Sequence, residues 1–202
     1  MTSSTSIRRR LRPHCGERGA VLVEMILVLP FLISLVMGTI EFGEGWQANL
    51  RVQAATRGAG RTGSSLATDR LTDYFMLQTL KAGLTKSNPA DIKRVVIYES
   101  DVTGEPSALC KAGTSVKDVC NVYTGAQMAT LTPANFTGTT SCLSNAPDVN
   151  WCPMDRVNTQ AVADHMGVWV EVFHPYTTGF FPGSGITLQQ HFVLRLEPKV
   201  GT

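Results

Sequence analysis

The sequence places one carboxylate, Glu24, inside an apolar run near the N-terminus. The run begins at Ala20, directly after Gly19, and continues to Ile40 with no other charged residue. An ionised group at the centre of a bilayer costs at least about 2.5–3.5 kcal/mol, so this glutamate needs a chemical explanation. Cleavage of the Gly19–Ala20 peptide bond would give Ala20 a free α-amino group. In a filament of side-by-side apolar helices, Glu24 could pair with the α-amino group of a neighbouring subunit and so fix the axial register.

Three other interpretations of the same segment stay open. A cleaved secretory signal has an apolar region of about 7–15 residues and small residues at its cleavage site, whereas this run is longer and MGTIEFGEGW has no A-x-A. An uncleaved signal anchor accounts for the length of the run but leaves Glu24 unexplained. A glutamate near a helix start can also extend towards the lipid headgroups, where the helix dipole favours it. The processing of the chain distinguishes these cases.

The apolar run has the length of a membrane-spanning helix. Its 21 residues from Ala20 to Ile40 correspond to about 30 Å of helix, close to the thickness of the hydrocarbon core. Five arginines and one glutamate give residues 1–19 a charge of +4, which leaves −2 on the rest of a chain whose net charge is +2. This asymmetry predicts a cytoplasmic N-terminus and an extracytoplasmic C-terminal domain. Because the net positive charge is confined to the leader, we predict no nucleic-acid binding.

The cysteines indicate an oxidising compartment beyond the membrane. One cysteine, Cys15, precedes the apolar run, and the other four follow it: Cys110, Cys120, Cys142 and Cys152. An even number of cysteines in such a location is typical of disulfides. Three pairings are possible, and the equal spacing of the two C-x9-C segments favours Cys110–Cys120 with Cys142–Cys152. A zinc site is disfavoured because the sequence has no C-x-x-C and no paired histidines.

The remaining patterns predict an α+β fold. Phe42, Trp46, Leu50 and then Ala54 or Ala55 follow each other at helical spacing, so we expect the membrane helix to continue outwards and to bury this stripe against the chain's own sheet. The glycines from residue 57 onwards are expected to loosen its end. A second helix is predicted over residues 68–84, capped by Thr68 or Asp69.

Three segments have strand patterns. IKRVVIYES is one, and MGVWVEVFH with ITLQQHFVLRLE predicts an antiparallel hairpin that places Val168, Val170 and Val172 on one face. Between residues 99 and 164 we expect a disulfide-bearing loop region with at most short strands such as VCNVYTG. The predicted architecture is a long N-terminal helix, half membrane and half amphipathic, packed on a small antiparallel sheet.

No pattern in the sequence predicts catalysis. The four histidines lack metal-ligand spacing, and neither a G-x-S-x-G nor a phosphate-binding loop occurs. Asp148, Asp155 and Asp164 lack the D-x-D spacing of a calcium loop. We therefore predict no catalytic residue, no metal and no cofactor, and that the chain is not an enzyme. Phe180 and Phe181, in the turn between the last two strands, are expected to be partly exposed and available to another subunit.

The N-terminal region resembles a known family. The stretch RGAVLVEMILVLPFLISLVMGTIEFGEGW, with its central Pro30 and its Gly-x-x-Glu-Phe-Gly exit from Gly38 to Gly43, is similar to the N-terminal region of TadE-like minor pilins, or pseudopilins, of the tight-adherence (Tad/Flp) type IV pilus. The resemblance covers roughly residues 16–64 well, with further matches in AATRGAGRTGS and the closing VLRLEP. The resemblance does not extend to the segment with the outer cysteines.

This resemblance implies a processing step and a location. A prepilin peptidase, an aspartic protease of the membrane, would cut after Gly19, and the pilin fold packs a long helix on a sheet. Met25 stands where major Flp pilins have a tyrosine, which favours a minor or priming subunit. The implied division is a leader over 1–19, a packing helix over 20–43 and an extracytoplasmic domain over 44–202, in a single-pass protein of the cytoplasmic membrane or its pilus.

The implied partners are other pilin subunits, the Tad pilus assembly machinery, the prepilin peptidase and membrane lipid. The alternative is a signal-anchored extracytoplasmic enzyme or binding protein unrelated to pili. The two differ in processing, because a pilin loses only its leader, a secreted protein loses its apolar helix as well, and a plain anchor loses nothing.

Overall fold

One long helix and one antiparallel sheet form the architecture. The computed structural model describes residues 17–85, 87–101, 103–136, 140–179 and 181–198. Helix α1 spans Glu17–Leu66 without interruption, although it contains Pro30. Most of the basic leader, including Cys15, lies outside the described residues.

The sheet has four strands, one more than the strongest sequence patterns predict. They are β1 (Ile92–Glu99), β2 (Cys120–Tyr123), β3 (His165–Pro175) and β4 (Gly185–Arg195). Their order across the sheet is β2-β1-β3-β4, and each neighbouring pair is antiparallel. The expected β3–β4 hairpin and the α+β class are confirmed.

The outer half of α1 packs along β3 and β4. Val168, Val170 and Val172 share the main core with this half of the helix, as their alternation predicts. Helix α2 (Thr72–Gly83) packs against α1 and contributes Met76 and Leu80 to the same core. The apolar faces of two helices and one sheet therefore form one core. Burial of this apolar surface is the main source of stability in a domain of this size.

The glycines near the end of α1 allow close packing and do not end the helix. A Cβ atom at Gly60 would lie 2.7 Å from the ring of Phe192, and one at Gly63 would overlap the side chains of Met76 and Met166. The expected loosening from residue 57 is therefore wrong. The local cost of glycine in a helix, about 1 kcal/mol each, is offset by the close approach of the helix to the sheet.

The large residues of the apolar stripe predicted to face the sheet are exposed, whereas Ala55 at its end is buried in the core. Phe42 and Trp46 are 73% and 57% exposed, and Leu50 is exposed as well. The buried face consists of smaller residues, among them Ala48, Val52, Ala55 and Ala59. Small side chains let the helix approach the sheet closely, and the large residues that dominate the hydrophobic pattern are left outside.

The start of α2 also differs from the prediction. The helix begins at Thr72, and its cap position, Leu71, has no side-chain hydrogen bond to the helix. Asp69 instead stabilises the turn before the helix, where its carboxylate accepts a hydrogen bond of 2.8 Å from the backbone N–H of Leu71.

The disulfide-bearing region covers the far face and the edge of the sheet. The Cys110–Cys120 disulfide links α3 (Ala108–Ala112) to β2 and packs with Tyr98 and Trp169 in a second, smaller core. The second disulfide joins Cys142 to Cys152. Both have the pairing that the equal spacing favoured. Helix α4 (Gly125–Thr130) follows β2 and begins with a capping box formed by Thr124 and Gln127.

Candidate functional site

The first half of α1 is apolar and uncovered. Its most apolar window has a mean hydropathy of 2.6, and no residue of that window is buried. Length and composition suffice for this helix to cross a membrane. The hydroxyl groups of Ser34 and Thr39 donate hydrogen bonds of 2.7 Å to the carbonyls of Pro30 and Leu35, four residues back. These polar groups are therefore satisfied within the helix, as a hydrocarbon environment requires.

The residues predicted for processing and register lie in the first turns of α1. Gly19 and Ala20 are helical and exposed, and an added Cβ at Gly19 would meet no atom within 4 Å. Glu24 is exposed and lies on the same helix face as Ala20, one turn further on. Within the described part of the chain, no hydrogen bond or ion pair involves the Glu24 carboxylate.

A second carboxylate, Glu41, closes the other end of the apolar segment, and it is buried. Glu41 is only 5% exposed. Its Oε1 accepts a hydrogen bond of 2.8 Å from the backbone N–H of Thr177, and its Oε2 accepts one of 3.1 Å from that of Thr178. The hydroxyl of Thr177 also donates to the neighbouring Glu44. Glu41 thus binds the turn of the β3–β4 hairpin to α1.

An apolar groove of about 320 Å³ lies beside this attachment point. The helix supplies Phe42 and Trp46, whose rings stack with centroids 6.3 Å apart. The hairpin supplies Tyr176 and Phe181, whose centroids lie 5.8 Å apart, and Ile186 completes this wall. Phe181 is partly exposed, as predicted, whereas Phe180 lies outside the described residues. Sequence reasoning missed the role of Glu41, although the Gly-x-x-Glu-Phe-Gly exit marks its position.

A buried polar cluster attaches the disulfide-bearing region to α2. Asp73 pairs with Arg156 at 2.6 Å, with both side chains fully buried, and accepts hydrogen bonds from Asn121 and Tyr123. The guanidinium of Arg156 also lies over the ring of Trp151, 3.9 Å from its centroid. The Asp73–Arg156 pair thus connects elements distant in sequence, although the Nε of Arg156 is buried without a hydrogen-bond partner among the described residues.

Asp148 lies near this cluster without a partner. The residue is 1% exposed, and neither of its carboxylate oxygens forms a hydrogen bond to another described residue. Burial, and then the charge of Asp73, raise the pKa of Asp148 to about 7. Burial likewise raises the pKa of Tyr123 well above its usual value of 10.0. The sequence did not identify this cluster, because its members are far apart along the chain and belong to no motif.

Nothing in the described residues forms a metal-binding group. No set of three or more histidine, cysteine, aspartate or glutamate side chains comes together there. The three aspartates considered for calcium, at positions 148, 155 and 164, are therefore not assembled into a site.

The comparison with protein families gives one match. A family model described as TadE-like protein matches residues 19–61, which is most of α1. No curated protein and no solved structure matches the chain. The match begins at Gly19 and includes Glu24, the apolar segment and Glu41. It confirms the resemblance found in the residues and shows that the N-terminal helix of this chain is similar to that of TadE-like proteins.

Proposed function

We propose that this protein is a minor pilin or pseudopilin, cut by a prepilin peptidase after Gly19, that contributes to assembly of a Tad-type adhesion pilus. The observation that carries the proposal is the uncovered apolar half of α1, in which the carboxylate of Glu24 has no partner among the described residues, and which lies within the match to TadE-like proteins. TadE-like pilus proteins are structural, and the proposed role needs no catalytic residue.

The proposed processing releases the leader over residues 1–19. A peptidase acting at the cytoplasmic membrane surface would need access to the Gly19–Ala20 bond, and the exposure of both residues in the first turns of α1 is compatible with that access. The new chain starts with the α-amino group of Ala20. The apolar segment stays attached, so the protein remains in the membrane with its α+β domain on the extracytoplasmic side.

Glu24 is proposed to fix the register between neighbouring helices. Its own chain offers it no described partner, so a bare carboxylate would carry an uncompensated cost in an apolar assembly. Pairing with the α-amino group of Ala20 in an adjacent subunit offsets the cost of the buried charge. The two groups meet at one axial offset of the two helices, so every other offset leaves the charge unpaired and is disfavoured. The expected partners are therefore other pilus components that have an apolar helix of the same kind.

The division at residue 43 falls within α1. Residues 20–43 are proposed as the packing helix and residues 44–202 as the extracytoplasmic domain, with α1 running through the boundary without a break. A continuous helix would fix the distance and the orientation of the sheet relative to the membrane segment.

Intact mass and N-terminal sequencing of the membrane-extracted protein test the processing. We expect a chain starting at Ala20 when the presumed prepilin peptidase is present and a chain starting at Met1 when it is absent. Gly19→Ala should block cleavage. Gly43→Ala is the matched control, because an added Cβ at Gly43 also meets nothing within 4 Å in the same helix.

Two outcomes would contradict the proposal. A start at Met1 in every sample leaves a signal anchor, and a start beyond Ile40 means a secreted protein. The register role is tested separately with Glu24→Gln in the processed protein. Crosslinking to other pilin subunits should be lost although cleavage continues, and unchanged crosslinking would remove Glu24 from the mechanism.

A further inference from the structure

We infer that the tip of the β3–β4 hairpin, together with Phe42 and Trp46 of α1, is a second membrane-contact surface that lies in the headgroup region of a phospholipid bilayer. The hairpin tip is defined as residues 175–185. This inference rests on the proposed insertion of α1 in a membrane and adds a contact made by the folded domain itself.

The position of the hairpin along α1 sets its height above the membrane. If the hydrocarbon core begins at Ala20, a rise of about 1.5 Å per residue places its outer edge near Ile40, about 30 Å further on. Phe42 lies about 3 Å beyond that edge and Trp46 about 9 Å beyond it. Helical side chains point towards the helix N-terminus, which brings both rings back towards the lipid.

The hairpin tip lies at the same level. An added Cβ at Gly38 would be 3.8 Å from the ring of Phe181, so this ring lies beside a residue of the apolar segment. Further up, Ile186 meets Gly45, and the side chain of Gln190 donates a hydrogen bond of 2.9 Å to Asn49. Strand β4 therefore rises away from the membrane alongside α1, with the hairpin tip at its lower end.

The composition of the hairpin tip suits an interface between lipid and water. The described residues of the tip, 175–179 and 181–185, include Tyr176 and Phe181 and no charged residue. Aromatic side chains are enriched at membrane–water interfaces. Lys93, whose ammonium lies 5.3 Å from the centroid of the Phe173 ring, adds a cation just above the tip, where anionic headgroups would be.

Glu41 provides hydrogen-bond acceptors for backbone N–H groups of the hairpin at the depth of the membrane interface. Peptide N–H groups that leave water need partners inside the protein. The Glu41 carboxylate supplies two acceptors, one each for the backbone N–H groups of Thr177 and Thr178. In return, these donors satisfy a carboxylate that would otherwise be costly at the hydrocarbon edge. The groove beside it is lined by Phe42 and Trp46 of α1 and by Tyr176 and Phe181 of the hairpin.

Depth-dependent quenching of tryptophan fluorescence tests the contact. The full chain is reconstituted in vesicles of phosphatidylcholine and phosphatidylglycerol that contain lipids spin-labelled at the headgroup, near the top of the acyl chain or near its end. The background variant is Trp46→Phe, whose two remaining tryptophans, Trp151 and Trp169, are buried in the domain. Phe181→Trp is then introduced as the probe.

Two further variants in the same background calibrate the measurement. Phe31→Trp reports the middle of the apolar segment. Val162→Trp reports an exposed site, 64% exposed in the wild type, beside the opposite end of β3. For Phe181→Trp we expect quenching by the two shallow labels at least about twice that of Val162→Trp, with the label near the chain end less effective.

The outcomes separate this inference from the proposed function. If Phe31→Trp is not quenched by the deep label, α1 does not span the bilayer and both fail. If Phe31→Trp is quenched while Phe181→Trp behaves like Val162→Trp, only the hairpin contact is overturned. Protection of Phe181→Trp from both lipid labels and aqueous iodide also overturns it, because a second protein subunit then covers the surface.

Discussion

Removal of the Glu41 carboxylate should release the β3–β4 hairpin from α1. A hydrogen bond to a charged acceptor contributes about 1.5–3 kcal/mol, and Glu41 accepts two from the hairpin backbone. Water can reach Thr177 once the carboxylate is gone, since that residue is exposed. Solvation of the freed N–H groups lowers the expected loss for Glu41→Ala to about 2–3 kcal/mol, which is about 30- to 150-fold in the equilibrium for opening.

Hydrogen exchange at the Thr177 and Thr178 amides in the full chain, held in detergent micelles, measures that opening directly. Glu41→Ala should accelerate exchange at both amides by this factor, and Glu41→Gln by less, because glutamine keeps one acceptor oxygen. Glu44→Ala is the control, since the contact that Glu44 makes with Thr177 is through the hydroxyl and not through the backbone N–H. Equal exchange rates in Glu41→Ala and Glu44→Ala would refute the idea that the carboxylate of Glu41 holds the hairpin.

Three further predictions concern the folded domain. The pKa of Asp148 is raised from 3.8 to about 7 in the folded protein, so the folded state binds this proton more tightly than the unfolded chain does. The contribution of Asp148 to the free energy of unfolding is therefore greatest below about pH 4 and is lost as the pH rises through 7. Asp148→Asn should flatten this dependence in urea unfolding between pH 4 and 8 and stabilise the protein by about 1–3 kcal/mol above pH 7; an unchanged slope would contradict the assignment. Gly167→Ala should destabilise by at least about 1–3 kcal/mol, because its methyl group would overlap the ring of Tyr98, which is fully buried; wild-type stability in thermal unfolding would contradict that packing. Replacement of both Cys110 and Cys120 by alanine should cost about 2–3 kcal/mol, the loop-closure entropy of a short loop, and an unchanged urea midpoint would show that this disulfide adds nothing.

The sequence predicts elements that have a strong local period. Alternation of valines identified β3 and its core face, and the equal cysteine spacing favoured the pairing that the structure has. The sequence patterns did not predict which face of α1 is buried, because that depends on tertiary packing. In the outer half of α1, the large apolar residues Phe42 and Trp46 stay exposed beside the hairpin, because glycine and alanine on another face make the closer contact with the sheet.

The buried polar cluster could not be predicted for a different reason. Asp73 and Arg156 are 83 residues apart, and their pairing depends on the path of the disulfide-bearing region. No local pattern encodes such a contact, since each residue alone resembles an ordinary surface charge. A covarying pair among related sequences would be the signal able to reveal it.

The two carboxylates at the ends of the apolar segment have opposite relations to their own chain. Glu41 is buried, with both oxygens used by the hairpin, so its partners fold with it. Glu24, 17 positions earlier in the same helix, has no partner among the described residues. A helix rises about 1.5 Å per residue, so about 25 Å separates the two, too far for one to compensate the other even inside a membrane. If both glutamates were structural, we would expect both to be satisfied within the chain. Among the described residues only Glu41 is satisfied in this way. Under the proposed function, the α-amino group of Ala20 in a second subunit would supply the positive charge that Glu24 lacks within its own chain.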